Sequence, residues 1–427
     1  MSASIFIQRQ ITEIRAGGHP VVARKFKQAF RVLPLWILAV PVVIVIRLIR
    51  PWFLIRWSAL HSPRIGHFAA NTEMYICERN AGINVPSRRY VDLFYIDESI
   101  CNGQLATMWA RVLRIWPAWV LGPISQVNRL IPGGRIHEVS LINTQHDRDV
   151  HNLRDRFPPL VQFTAAERAR GEASLREMGI PSGAPFVCLS VRDSAYLDVH
   201  TPAGVWNYHN YRDSDIQNYV VAAEALANRG YFVIRMGAKV RESIKSNHPK
   251  IIDYACNGMR TDFMDIFLCA KCEFMISTGE GLVCVTQLFR RPVVVVNFQP
   301  LAYWYTYYSN LIGITKHHCS VADSKELTLS EIFTRGVGFC LATADYQSKG
   351  VQLAENTPEE IRDVCVEMTE RLNGTWQSIE DDESLQKRFW EVFPTNAVDA
   401  YHGRPLHGEI RARFGAAFLR SNRAWLQ

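Results

Sequence analysis

A glycine turn in the second half of the chain is the first stretch whose residue types suggest chemistry. Gly279, Glu280 and Gly281 follow an apolar run and precede a segment of helix length, after which come four valines at 293–296. A tight turn that opens a helix directs several backbone N–H groups, and the positive end of the helix dipole, at one point. Such a point suits a phosphate or a diphosphate. The alternative is that the two glycines only make a tight turn.

Three apolar segments predict the strands that lead to this turn. Residues 185–191, 230–236 and 274–278 are short and lack polar alternation, which is typical of parallel strands buried on both faces. Segments with helical spacing, 216–229 and 262–269, separate them. This alternation predicts a doubly wound parallel sheet, whose ligands bind beyond the carboxyl ends of the strands.

Arginines, hydroxyls and glycines follow these strands at the predicted edge. Arg192 and Arg235 lie at two strand ends, and arginines that converge near a helix N-terminus are suited to clamp a diphosphate. We expect Glu280 to contact ribose or sugar hydroxyls. Each residue alone could form a surface ion pair instead, but their shared location favours a site. The predicted donor site is Arg192, Asp193, Arg212, Arg235, Gly237, Ser277, Thr278, Gly279, Glu280 and Gly281.

The acidic sequence Asp213-Ser214-Asp215 has two interpretations. Two aspartates at this spacing could hold a divalent metal together with a nucleotide diphosphate. However, Ser214 and Gln217 have the spacing of a capping box directly before a predicted helix. Capping explains the residue types without a metal. We therefore predict no metal site and no required cofactor.

The first half of the chain contains a candidate general base. Residues 54–60 predict a strand, and His67 follows the next glycine turn, at a strand end where α/β sites form. An isolated histidine is more often structural, but this position makes His67 our candidate base. A second predicted strand at 90–96 and helical spacing over 102–115 complete a small α/β unit, while residues 69–78 show no clear period.

An uncharged segment near the N-terminus predicts contact with a membrane. Residues 32–46 carry no charge, and arginines and tryptophans flank them. A helix of fifteen residues covers roughly 22 Å, which is shorter than the ~30 Å hydrocarbon core, and Pro34 and Pro41 weaken a straight span. We expect a monotopic or re-entrant anchor near 32–55 at the cytoplasmic face of the cell membrane. The alternatives are a full span and a helix buried in a soluble protein.

The charge distribution separates the N-terminus from the rest of the chain. Residues 1–66 hold ten basic residues and one acidic residue, whereas the remainder holds 38 basic and 40 acidic residues. A nearly neutral body argues against a nucleic-acid binder, and a basic N-terminus fits anionic lipid head groups.

The ten cysteines are scattered, and Cys269-x-x-Cys272 has no second pair, so we expect reduced thiols in the cytosol and no zinc site.

Several motifs together resemble a bacterial family of glycosyltransferases found in surface-polysaccharide loci. The motifs are RIGH at 64–67, VRDSAYL at 191–197, YRDSDIQNY at 211–219, VIRMG at 233–237 and LFRRP at 288–292. The resemblance covers most of the chain, including the basic apolar N-terminus. It implies a GT-B-like α/β fold, in which two Rossmann-type domains bind a nucleotide-sugar donor on the C-terminal side and an acceptor on the N-terminal side. Such a fold usually works without a bound metal.

We therefore predict four segments: a membrane-associating segment at 1–58, an acceptor domain at 59–170, a donor-binding domain at 180–345 and a helical tail at 346–427. The predicted function is a membrane-associated glycosyltransferase that moves a sugar from a nucleotide sugar to a lipid-linked or cell-surface glycan. One alternative is a non-catalytic adaptor that binds a nucleotide or sugar at the membrane. Another is a pyruvyl, phosphoryl or carbamoyl transferase on the same fold, whose phosphate site would look alike.

Overall fold

The chain forms two compact units that alternate along the sequence. The computed structural model describes residues 33–139, 148–195, 207–399 and 403–427. We call residues 1–60, 84–99 and 113–141 the small unit, and residues 61–83, 100–112 and 142–427 the large unit. The four predicted domain segments remain predictions. Residues 1–32, which include the first residue of the predicted anchor, lie outside the described residues, as do Tyr196 and Leu197 of one motif.

Helices and strands are numbered in chain order within the described residues. The helices are α1 (33–49), α2 (Ile65–Asn80), α3 (Gly103–Val112), α4 (Ala118–Leu130), α5 (Ala165–Glu177), α6 (Val220–Asn228), α7 (Asp262–Lys271), α8 (Gly281–Leu288), α9 (Leu329–Thr334), α10 (Thr343–Ser348), α11 (Pro358–Asn373), α12 (Asp382–Val392) and α13 (Ala416–Ser421). The strands are β1 (Leu54–Ala59), β2 (Tyr90–Tyr95), β3 (Phe186–Ser190), β4 (Phe232–Met236), β5 (Ile251–Ile252), β6 (Met275–Ser277), β7 (Val293–Phe298), β8 (Leu311–Thr315), β9 (His317–Ser320), β10 (Val351–Ala354) and β11 (Arg413–Phe414).

The small unit is built on two parallel strands. β1 and β2 pair along their full length, with Leu54 opposite Tyr90, which confirms both strands predicted for the first half. Single bridges add Glu138 beside β1 and Ile115 beside β2. Helices α1 and α4 pack against these strands around a buried core that includes Trp57.

Helix α1 has one buried face and one exposed apolar face. Ala39 and Val43, one helical turn apart, are 4% and 0% exposed. Arg47 donates hydrogen bonds to the carbonyl oxygens of Ile131 at 2.9 Å and Pro132 at 2.8 Å, directly after α4. Large apolar side chains project from the remaining surface of the helix: Leu33, Ile37, Leu38, Val40, Val42, Ile44, Val45 and Leu48. Within the described ranges, every helix is too short or too polar to cross a membrane.

A seven-stranded parallel sheet forms the centre of the large unit. Its strand order is β11-β8-β7-β6-β3-β4-β5, and all neighbouring strands are parallel. The predicted strands at 185–191, 230–236 and 274–278 are β3, β4 and β6, and they lie side by side. Every residue of β3, β6 and β7 is buried, which explains why these strands lack polar alternation. The predicted doubly wound parallel sheet is confirmed for this unit.

Helix α2 belongs to the large unit although it lies near the N-terminus of the chain. Residues 68–78 are all buried, so no amphipathic period marks this helix in the sequence. The Glu73 carboxylate, which is fully buried, accepts hydrogen bonds from Arg154 Nε at 2.8 Å and from Arg290 Nη1. Because a buried carboxylate needs partners of this kind, the two arginines fix α2 in place.

The C-terminal region combines helices with two short strand pairings. Helix α11 begins with Pro358 and a capping box made by Thr357 and Glu360. Phe414 belongs to β11, which pairs with β8, so the last helix of the chain begins only at Ala416. Helix α13 follows, and a 3-10 turn over Arg423–Leu426 ends the described chain.

Candidate functional site

The Gly279–Gly281 turn connects β6 to α8 at the carboxyl edge of the sheet. Gly279 has a φ of +87°, a left-handed conformation that favours glycine. The Ser277 hydroxyl accepts a hydrogen bond from Gly279 N at 3.0 Å and donates one to Glu280 Oε2 at 2.7 Å. Thr278 Oγ1 donates to the same carboxylate oxygen at 3.1 Å. Ser277 and Thr278 therefore hold the turn and orient Glu280.

Only one oxygen of the Glu280 carboxylate is engaged by these hydroxyls. Glu280 Oε1 is buried and has no hydrogen-bond partner within the described ranges. A buried acceptor without a partner costs about 1–3 kcal/mol, so such an atom marks a position where a ligand donor fits. The predicted contact between Glu280 and a hydroxyl remains a prediction, and this oxygen is the atom that could make it.

Gly281 is small because another helix approaches it. A Cβ atom on Gly281 would lie 2.8 Å from Ile65 Cγ2 and 3.0 Å from the backbone N of Gly66. Gly281 begins α8, and Ile65 begins α2, so the N-terminal ends of the two helices meet at this point. Two helix dipoles directed at one place favour negative charge there. Gly281 thus has a packing role that the sequence alone did not indicate.

Three arginines gather beside the turn. Arg192 donates its backbone N–H to Thr278 Oγ1 at 3.1 Å, and its Nε pairs with Asp213 Oδ1 at 3.1 Å. Arg212 Nη2 donates to the carbonyl oxygen of Gly279 at 2.7 Å. Burial and the neighbouring Arg212 lower the pKa of Arg192. Burial, together with Arg212, Arg192 and Arg64, lowers the pKa of His209 to about 4. Arg64 stands directly before Ile65 and Gly66, which contact Gly281, so it lies beside the same turn. We call Arg64, Arg192 and Arg212 the arginine cluster.

Arg235 has a different environment from the arginine cluster. It lies inside β4, opposite Leu189 of β3, and its side chain is 1% exposed. Its Nη1 pairs with Asp253 Oδ1 at 3.4 Å. Gly237 directly follows β4, and a Cβ atom there would lie 2.5 Å from Val240 Cγ1. Asp193 accepts hydrogen bonds from the backbone N–H groups of Ala195 and Arg241, both at 2.9 Å.

A cavity of about 290 Å³ lies at the ends of β3 and β4. It is lined by Val191, Asp193, Asp213, Ser214, Asp215, Ile216, Arg235, Arg241, Glu242 and Glu355. The structure therefore divides the predicted donor site. Arg192, Arg212 and the residues of the turn come together, whereas Arg235 and Asp193 line the adjacent cavity. Asp213 belongs to both places, because it pairs with Arg192 and also lines the cavity.

The Asp213–Asp215 sequence caps a helix, but through a different residue than predicted. Asp215 Oδ1 accepts the backbone N–H of Gln217 at 2.8 Å, so the N-cap is Asp215 and not Ser214. The capped element is a 3-10 turn over Ile216–Tyr219 that leads into α6. Across the described ranges, no group of three or more His, Cys, Asp and Glu side chains is arranged to hold a metal ion.

His67 lies in the first turn of α2, next to Gly66. Its Nδ1 is 3.2 Å from Asn71 Oδ1, one helical turn further along. An amide oxygen only accepts hydrogen bonds, so Nδ1 is the donor in this contact. The ring of His61 packs edge-on against His67 at 5.0 Å between centroids. The role of His67 as a base remains a prediction.

Arg64 and His209 lie near the turn, although neither is among the predicted site residues. Arg64 stands in the N-cap position of α2, and His209 lies in a 3-10 turn over Asn207–Arg212. Arg64 could have been found from the RIGH motif, because it lies two residues before the glycine that His67 follows. His209 carries no comparable signal in the sequence.

Comparison with known proteins gives weak structural similarities and no sequence match. No protein-family model matches the chain, and no curated protein sequence matches it either. Among solved structures, ADP-heptose LPS heptosyltransferase II of E. coli is similar at 12% identity and a TM-score of 0.38, over 61% of this chain and 90% of that one. A family 9 glycosyl transferase of Veillonella parvula is similar at 10% identity and a TM-score of 0.38, over 61% of this chain and 85% of that one.

A third similar structure is an iron-containing dodecameric glycosyltransferase of enterotoxigenic E. coli. It shares 12% identity with this chain, at a TM-score of 0.29, over 57% of each chain. Likenesses at these TM-scores assign no activity. The functional conclusion therefore rests on the geometry of the site.

Proposed function

We propose that this protein is a glycosyltransferase that uses a nucleoside-diphosphate sugar as its donor. The observation that carries the proposal is the arginine cluster, Arg64, Arg192 and Arg212, beside a glycine turn at which two helices begin. Guanidinium groups and helix N-termini both stabilise phosphate oxygens. In sugar transfer the diphosphate leaves with the bonding electrons, so a fixed cluster of positive charge lowers the barrier to its departure.

The chemical step requires a base for the acceptor. The acceptor hydroxyl oxygen bonds to the anomeric carbon of the donor, and the bond from that carbon to the diphosphate oxygen breaks. His67 Nε2 takes the hydroxyl proton, while Asn71 holds the imidazole in the required tautomer. Glu280 Oε1 accepts a hydrogen bond from a hydroxyl of the donor. In this proposal arginines supply the positive charge, so a chelator leaves turnover unchanged.

Arg212→Ala tests the proposed diphosphate site. We expect the variant to bind nucleoside diphosphates at least about tenfold more weakly by calorimetry, because it loses a charge-assisted contact to phosphate. Arg335→Ala is the matched control, since the Arg335 side chain forms an exposed pair with Glu331 on α9 and its loss leaves binding unchanged. Equal binding by wild type and Arg212→Ala would refute the site.

A donor screen separates the proposal from its alternatives. Purified protein is incubated with UDP-, GDP-, ADP- and CMP-linked sugars and with a lipid-linked glycan acceptor, and sugar transfer is followed by mass spectrometry. Transfer supports the glycosyltransferase. Nucleotide binding without turnover of any donor supports the adaptor instead. Addition of a pyruvyl, phosphoryl or carbamoyl group to the glycan supports a different transferase on the same fold.

We further propose that α1 holds the protein at the cytoplasmic face of the membrane, where it meets a lipid-linked or cell-surface glycan. The support is the outer face of α1, on which Leu38 is 67% and Val45 is 56% exposed, together with the positive charge of residues 1–66.

Sedimentation with anionic vesicles tests the membrane proposal. The double variant Leu38→Glu with Val45→Glu should no longer sediment with the vesicles. The control Val321→Glu, at a residue 63% exposed on the large unit, should sediment normally. If the double variant also sedimented, or if wild type formed a dimer that hides α1, the membrane proposal would fail.

A further inference from the structure

Exposed apolar side chains are concentrated in the small unit. Of the 21 large apolar side chains that are exposed among the described residues, 14 belong to this unit, although it is the smaller of the two. Eight of the 14 lie on α1, and six lie outside it. A concentration of this kind marks a surface that contacts a partner or a membrane.

The exposed face of α4 borders α1. Trp119, Gln126 and Leu130 are seven and four residues apart, so they lie on one face of α4, and all three are exposed. Gln126 Oε1 accepts a hydrogen bond from Trp36 Nε1 of α1 at 2.7 Å. The apolar surface of α1 therefore continues onto α4, where Trp119 is 67% and Leu130 is 69% exposed.

The two helices run in the same direction. Trp36, near the start of α1, contacts Gln126 of α4. Arg47, near the end of α1, donates to two carbonyl oxygens just after the end of α4. Trp119 lies seven residues before Gln126, so it is about 10 Å nearer the N-terminal end of the helix pair than Gln126 is.

Residues that favour the membrane–water interface lie at both ends of this helix pair. At the C-terminal end, Trp52 lies three residues after α1, and Arg88 Nη1 donates to the carbonyl oxygen of Arg50 at 3.2 Å. At the N-terminal end, Trp119 lies in the first turn of α4, five residues after the exposed Arg114. Tryptophan and arginine side chains both favour the level of the lipid head groups.

The length of α1 decides how the helix pair meets a bilayer. Its 17 residues span about 25 Å, whereas half of the hydrocarbon core is about 15 Å thick. If α1 entered the bilayer end-on, the arginines at one end would be drawn into the hydrocarbon, which is costly. If α1 lies parallel to the bilayer, both ends stay among the head groups while its apolar face reaches the hydrocarbon.

Charge indicates that a bilayer with anionic lipids covers this surface. Over the full sequence, the small unit holds 14 basic and five acidic residues, whereas the large unit holds 34 basic and 36 acidic residues. Anionic head groups attract such a unit. A second copy of the same basic unit would repel it.

We infer that α1 and α4 together form a membrane-contact surface that lies parallel to an anionic bilayer, with Trp52 and Trp119 among the head groups at its two ends. This inference rests on the membrane part of the proposed function and specifies its geometry. It selects a monotopic anchor over a re-entrant one. It also adds α4 to the contact, although the sequence did not associate this helix with a membrane.

The depth of two positions on α1 tests the orientation. Ile37→Cys and Leu48→Cys, eleven residues apart on one exposed stripe, each receive a nitroxide label. The protein binds vesicles of phosphatidylcholine and phosphatidylglycerol in equal parts, and depth is measured by electron paramagnetic resonance with oxygen and a water-soluble nickel chelate. A parallel α1 gives equal depths, whereas an end-on α1 gives depths that differ by about 16 Å.

Two controls accompany the depth measurement. Val321→Cys, on the large unit, receives the same label and should remain in water. Wild type treated with the label corrects for Cys256, which is exposed.

Two variants test whether α4 is part of the contact. Trp119→Ser should bind the same vesicles about tenfold more weakly, since burial of a large apolar side chain contributes a factor of this size. Leu130→Ser, at the other end of the α4 stripe, should also bind more weakly. Ile379→Ser, at a residue 47% exposed on the large unit, is the matched control and should bind as wild type does. Melting temperatures verify that each variant is folded.

The possible outcomes distinguish the inference from the proposed function. If the two labels differ in depth by about 16 Å, or if neither α4 variant weakens binding, the inference is wrong while an anchor made by α1 remains. If neither label enters the bilayer, the inference and the membrane part of the proposed function are both wrong. If wild type forms a dimer that shields both labels before vesicles are added, the surface joins two copies of the chain and the inference is wrong.

Discussion

Arg192 and Arg235 come from neighbouring strands of one sheet, but they have opposite environments. Arg235 lies inside β4, where its side chain is 1% exposed and pairs with Asp253. Arg192 lies two residues beyond the end of β3, where its side chain is 15% exposed and Arg212 is close enough to lower its pKa. A few residues along a strand thus decide whether an arginine is buried beside the cavity or belongs to the arginine cluster. Arg192 and Arg212 place two like charges together, which is costly without an anion, whereas Arg235 has an ion-pair partner of its own in Asp253.

The largest expected effect is that of the double variant Arg192→Ala with Arg212→Ala. Because loss of one group that stabilises transition-state charge costs about 10²–10³ in turnover, we expect the pair to lower turnover by about 10⁴ or more. The free energy of unfolding should change little, since the variant removes mutual repulsion along with the pair to Asp213. Turnover and denaturant unfolding check this. A large loss of stability would show that the arginine cluster is structural.

Arg235→Ala should lower folding stability and leave pyrophosphate affinity unchanged. Removal of one partner of a buried ion pair costs about 3 kcal/mol of folding stability. The pyrophosphate affinity of the folded protein should be unchanged, because Arg235 lies in the cavity and not in the arginine cluster. Denaturant unfolding and calorimetry measure the two quantities. A loss of pyrophosphate affinity as large as that of Arg212→Ala would remove the distinction between the two arginines.

Gly281→Ala separates the packing role of the turn from its role in binding. The added Cβ would collide with Ile65 and Gly66, so we expect a loss of about 2 kcal/mol in unfolding free energy. Gly122→Ala on α4 is the control, because a Cβ there meets nothing within 4 Å and alanine favours the helix. If Gly281→Ala were as stable as wild type, the close contact between α2 and α8 would be in error.

The smallest expected effect is a pH dependence from His209. Its pKa in the folded protein is about 4, whereas histidine in an unfolded chain titrates near 6.5. Between these values the unfolded chain binds a proton that the folded protein does not, so stability falls as the pH drops from 7 to 5. His209→Gln should lose about 1 kcal/mol less than wild type over this range. Identical pH profiles would show that the arginines do not act on His209.

The sequence was informative where burial or turn geometry leaves a pattern. β3, β4 and β6 were predictable because uninterrupted apolar runs mark strands buried on both faces, and the glycine turn marked the edge to which Arg192 belongs. The sequence contained no signal for contacts between residues that are distant along the chain. Helix α2 is buried on all sides and shows no period, and the constraint on Gly281 comes from Gly66. Arg192 and Arg235 looked equivalent, because a sequence pattern does not fix the last residue of a strand.

The buried contact between Glu73 and Arg290 also constrains how the protein is made. The two residues are 217 positions apart, so α2 leaves the ribosome long before Arg290, the second of the two arginines that pair with Glu73. At about 5–20 residues per second, this interval lasts roughly 10–40 s. During that time α2 lacks the packing surface that α8 supplies in the folded protein. A shortened gene that begins after residue 83 would encode a large unit without α2, whereas one that begins at residue 61 would retain it.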